Sequence, residues 1–82
     1  MIKQNIESYF KSKRDAYIFI LKYTQGITRI SLLGITEAHY DDNELANQWY
    51  DDIVPYVLPS QGGDVEAYNI LNNIYNVMTS IY

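Results

Sequence analysis

Between Val65 and Ile81 the apolar residues return at every third or fourth position: Ala67, Ile70, Leu71, Ile74, Val77, Met78 and Ile81. At about 100° per residue they form one continuous stripe, which predicts a helix over 65–81 whose apolar face the rest of the chain must cover. Asn69, Asn72, Asn73, Asn76 and Ser80 make the opposite face, polar but uncharged, and Tyr68, Tyr75 and Tyr82 recur seven apart along the edge. A tyrosine in such a place buries its ring and keeps its hydroxyl near water, so these three are expected at the rim of the core rather than in a cofactor site. The cover has to come from few residues. The chain has 82, of which 48% are apolar, enough for a single domain over 1–82 with one core and no second domain. With no cysteine, it has no disulfide, thiolate metal site or thiol nucleophile, and it must be held by packing or self-association.

Toward the N-terminus, Ile2, Ile6, Tyr9 and Phe10 stand at helical spacing, and Glu7 with Lys11 is a favourable i, i+4 pair, so a short amphipathic helix is predicted over 2–13. After Asp15 the composition changes. "AYIFILKY" and "ITRISLLGI" are rich in β-branched and aromatic residues, and Gly26 lies between them where a tight turn needs positive φ. This predicts a β-hairpin, 16–23 paired with 27–35. Tyr17, Phe19, Leu21 and Tyr23 would then share one face and Ile18 and Ile20 the other. A strand apolar on both sides needs cover on both, so a buried helix is the competing assignment. The expected fold is α+β: an N-terminal helix, a β-hairpin, and two C-terminal helices packed on it, with an all-α bundle as the alternative.

The first of those C-terminal helices opens within "YDDNELANQWYDD" (40–52), which contains Tyr-Asp-Asp twice. Asp41 is expected as its N-cap with Glu44 three residues on, an arrangement that satisfies orphan backbone donors and suits the positive end of the helix dipole. Leu45, Ala46, Trp49, Ile53, Tyr56 and Val57 fall on one side; Glu44, Gln48, Asp51 and Asp52 fall on the other. Pro55 is expected to interrupt or kink the helix because it lacks the N–H that would bond residue 51. "LPSQGGD" (58–64) reads as a loop with Asp64 capping the last helix. The two Tyr-Asp-Asp copies are ten residues apart, about 80° short of full turns, so they do not superpose as a repeat.

No motif for catalysis emerges. Counted from Asp41, the fifth and sixth positions of an EF-hand loop would be Leu45 and Ala46, which rules that loop out. His39 is the sole histidine and has no nucleophile motif to serve, so it is expected in a loop or on the surface. "SQGG" (60–63) lacks the spacing of a phosphate loop. Lys11, Lys13 and Arg14 beside Tyr9 and Phe10 have the interleaving used by single-strand binders, but three charges are too few for a basic face. Neither an enzyme nor a cofactor or metal site is expected.

Charge is the informative property. The formal net charge is −4, and its placement is uneven: all six Lys and Arg precede residue 30, whereas Glu37, Asp41, Asp42, Glu44, Asp51, Asp52, Asp64 and Glu66 follow it. A bare nucleic acid would be repelled and a basic protein surface attracted. The expected interface consists of Glu37, Asp41, Glu44, Asp51 and Asp52, with Trp49 and Tyr50 at or near its edge as aromatic anchors. This profile is that of small inhibitors that occlude a basic nucleic-acid or substrate site, a class that includes phage anti-defence proteins, immunity proteins and DNA mimics. The alternative is a structural or regulatory homo-oligomer, such as a homodimer, in which the two-sided apolar strand and the uncharged Asn face form subunit contacts. The abundance of Ile, Asn and Tyr fits an AT-rich bacterial or mobile-element genome. The polar first residues and the lack of any apolar run near ~20 residues give a cytoplasmic expectation, with no membrane association.

Overall fold

The computed structural model describes residues 12–80, and every regular element among them is a helix. In chain order these are α1 (Lys13–Tyr23), α2 (Gly26–Leu32), α3 (Glu37–Asp41), α4 (Asn43–Val57) and α5 (Val65–Thr79), with a 3₁₀ turn (Pro59–Gln61) between the last two. The α+β expectation is therefore overturned: the segment expected as a β-hairpin forms α1 and α2, and the fold is an all-helical bundle. The helix expected over 2–13 lies outside the described residues as far as residue 11.

The reason is tertiary burial. As a helix, the first apolar segment turns Ala16, Ile20 and Leu21 to one side, where each is at most 3% exposed. One helical stripe then does what a two-faced strand could not, and burial of these side chains outweighs the modest β preference of isoleucine and tyrosine. The chain also marks the start of this helix. Ser12 is its N-cap, with its hydroxyl accepting from the Asp15 N–H at 3.2 Å, and Lys22 lies in the last turn where the dipole favours a cation. Gly26 does adopt positive φ, at 62°, but as the first residue of α2.

At the other end of α2, Gly34 (φ 72°) donates its N–H to the Ser31 carbonyl and Ile35 donates to Ile30, the paired bonds of a Schellman motif. That motif sets Ile30 and Ile35 side by side.

Helices α1, α4 and α5 pack against one another and contribute most of the core, which includes Ile20, Leu21, Ile53, Val57, Leu71 and Met78. The N-cap of α4 is Asp42 rather than Asp41: α3 continues through Asp41, so Asp42 is the extended residue, and its Oδ1 accepts from the Glu44 N–H at 2.9 Å. Asp64 caps α5, its Oδ2 accepting from the Ala67 N–H at 2.9 Å. Pro55 does not end α4, which runs to Val57. The residue is exposed and stands in the final turn, so the carbonyl it leaves without a donor, that of exposed Asp51, can be met by water.

Candidate functional site

On α4 the exposed positions are Asn43, Glu44, Asn47, Gln48, Asp51, Asp52 and Pro55, a single outward sector. It is outward because Ala46, Trp49, Ile53 and Val57 are buried on the other side. Glu44, Asp51 and Asp52 thus share one solvent face, with Glu44 and Asp51 about 10 Å apart along the axis at 1.5 Å per residue. Glu37 and Asp41 are exposed on the neighbouring helix α3.

The aromatic residues expected beside this face are placed differently. Trp49 is buried, and its indole N–H donates to the Leu33 carbonyl at 3.0 Å, which ties α4 to the end of α2. Its ring meets His39 edge-on at 6.5 Å. Tyr50 is half-buried in the α4–α5 seam. Its hydroxyl donates to Asn72 Oδ1, and its ring lies 4.7 Å from that of Tyr75, whose hydroxyl donates to Asn47 Oδ1. Burial, reinforced by Tyr68, pushes the Tyr50 hydroxyl above the ordinary tyrosine value of 10.0. His39 is half-buried at the start of α3; its Nδ1 accepts from the Thr36 N–H at 3.0 Å, taking the place glutamate has in a capping box.

Two of the cations, Arg14 and Lys22, are turned to internal use. Arg14 donates from Nε to the Tyr56 carbonyl and from Nη2 to the Gln61 carbonyl, both at 2.9 Å, and so covers the carbonyl end of α4. Lys22 Nζ lies 3.4 Å from Asp64 Oδ1 and 3.7 Å from Glu66 Oε1. Burial works to lower the Lys22 pKa, but the hydrogen bond and charge of Asp64 outweigh it and raise the value above 10.5. Asp64 is held below 3.8 chiefly by the Ala67 N–H, with Lys22 adding to the effect. Lys22 thereby balances one of the two negative charges of Asp64 and Glu66. Glu37, Asp41, Glu44, Asp51 and Asp52 have no ion-pair partner among the described residues.

Among the described residues, no group of three carboxylate or imidazole side chains converges in a metal-holding arrangement. No helix among them is long and apolar enough to cross a membrane. The class defined by this geometry is a small helical domain with an acidic outer face. No family model, curated protein or solved structure significantly matches the chain.

Two features escaped the sequence reading. The Tyr50–Asn72 and Tyr75–Asn47 pairs bridge residues 22 and 28 positions apart, and helical periodicity says nothing about such partners. The start of α1 was legible, by contrast: Ser12 followed three residues later by Asp15 is an N-terminal signature of a helix.

Proposed function

We propose that this protein is a non-enzymatic binding module whose acidic α4 face docks on a basic surface of a partner protein and occludes a site for nucleic acid or an acidic substrate. The observation that carries this reading is the sorting of charge. Arg14 and Lys22 act as staples within the fold, while Glu44, Asp51 and Asp52 stand outward together without ion-pair partners among the described residues. Unpaired surface carboxylates on a rigid helix steer association toward a basic surface and select the partner by sign of charge. Glu37 and Asp41 extend the negative field from α3. Trp49 and Tyr50 support the face from beneath by fixing α4 against α2 and α5, rather than by inserting into the partner. A cytoplasmic setting is part of this reading. The alternative, a structural or regulatory homo-oligomer, has a helix where it expected a two-sided strand, but Tyr23 and Ile27 stay exposed in that segment and Asn69, Asn73 and Asn76 stay exposed on α5.

The test is the combined variant Glu44→Gln, Asp51→Asn, Asp52→Asn in affinity capture from the native cell, followed by titration of whatever partner the unaltered protein retains. Binding is expected to weaken at least tenfold and to lose most of its salt dependence. Unchanged affinity with an unchanged salt slope would sink the reading.

A further inference from the structure

The stripe on α5 is wider than the cover the fold supplies. Val77 is 65% exposed although it lies on the apolar face of α5, because α2 packs on α1 and buries none of its own residues. A groove of about 250 Å³ is left there, with Ile30, Ile35, Tyr40, Ile74 and Val77 in its walls and Arg29 beside them. Ile30 and Ile35 are set together by the Schellman bonds at the end of α2.

Arg29 gives the groove its chemistry. Its Nη2 donates to the Leu21 carbonyl at 3.0 Å, and its Nε is buried with no acceptor among the described residues. Nη1 holds no hydrogen bond among the described residues, and it is not among the atoms sealed from solvent. Among the described residues no carboxylate lies within ion-pair distance of this guanidinium, in contrast to Lys22, which has two. A partly buried guanidinium in the groove wall, with no counter-charge among the described residues, suits an anion, which would meet Nη1 and not the sealed Nε. The surrounding walls are mostly apolar, with Asn73 as a further polar residue.

We propose that this groove binds a small apolar carboxylate, with the carboxylate on Arg29 and the hydrocarbon chain along Ile30, Ile35, Ile74 and Val77. The charge decides the head group, since a neutral amphiphile would leave Arg29 unmatched and a cation would be repelled. The volume sets the scale of the tail: at about 250 Å³ the groove suits a short hydrocarbon chain of roughly octanoate size and lies below the ~300 Å³ at which drug-sized ligands begin to fit. The groove shares no residue with the acidic face of α4, so this site does not depend on the reading of that face.

The experiment is titration of the whole chain with hexanoate, octanoate and octanol, below their aggregation limits, followed by amide chemical shifts. Saturable shifts are expected around Ile30, Ile35, Ile74 and Val77, with affinity rising about fourfold for each methylene buried. Octanoate should bind at least tenfold more tightly than octanol, and the difference should shrink with added salt. Arg29→Gln should remove that preference, and Val77→Glu, at an exposed position, should weaken both ligands without altering the helical circular dichroism. Equal binding of octanoate and octanol to the unaltered protein would overturn the proposal, as would shifts that do not saturate or that lie elsewhere. The comparison on the unaltered chain decides the matter even if Arg29→Gln fails to fold.

Discussion

Gly63 stands where the chain leaves no room for a side chain: a Cβ built on it would lie 2.1 Å from both the carbonyl carbon and the oxygen of Val57. The approach is close because the Gly63 N–H donates to the Leu58 carbonyl at 2.9 Å and the Asp64 N–H to Val57 at 3.0 Å, folding the loop onto the end of α4. Gly63→Ala should therefore cost about 3 kcal/mol or more, since rigid backbone has to move. Gly26→Ala should cost only about 1–2 kcal/mol, the strain of a positive φ with open space around it. Urea unfolding checks the ranking, with midpoints shifting at unchanged m. Asp64 makes the acid limb of stability at the same joint. Because its folded pKa lies below 3.8, its contribution is complete above that value and disappears as pH falls through the lower folded value. Urea midpoints measured from about pH 6 to about pH 2 should show this loss, and Asp64→Asn, which does not titrate, should remove that part of it.

At the scale of elements, α4 and α5 are joined by more than the apolar stripe. Tyr50 with Asn72 and Tyr75 with Asn47 cross the seam, so the uncharged polar face opposite the α5 stripe is partly an interface within the fold. Tyr50→Phe should cost about 1 kcal/mol, and a double-mutant cycle with Asn72→Ala should give a coupling of about the same size. A coupling near zero would mean that water replaces either partner without loss. Helix α1 was misread because β-branched residues on both sides of a short segment fit a doubly covered strand as well as a buried helix. Only the Ser12 cap separated the two readings, and it lies at the boundary where the predicted N-terminal helix ended. The N-cap of α4 differed by one residue for a similar local reason: α3 consumes Asp41 and leaves Asp42 as the first extended position.

For the whole molecule, the separation of charge along the chain becomes a separation between interior staples and outward face. Replacing Glu44, Asp51 and Asp52 with their amides should change stability by less than about 1 kcal/mol, because all three are exposed and without an ion-pair partner among the described residues, and the dipole favours only Glu44. Thermal unfolding of the triple variant checks this, and it separates a binding defect from a folding defect. A bundle this small covers its apolar stripes unevenly. The core reaches Leu71 and Met78 completely, while Val77 on the same helix remains 65% exposed at the α2–α5 groove.

Periodicity and composition determined the α4 and α5 stripes, the Asp64 cap, the exposed acidic sector and the lack of positive charge beyond Arg29, because each follows from a repeat or a count along the chain. The tertiary structure decided the rest. It made 16–35 helical, turned Trp49 inward to Leu33, assigned Arg14 to the carbonyl end of α4, paired Lys22 with Asp64, and left Arg29 without a counter-charge beside an apolar groove. These outcomes depend on which side chains meet across 8 to 47 residues of sequence. Local propensities differ by less than the free energy gained when such groups are buried together, so the partners prevail over the pattern.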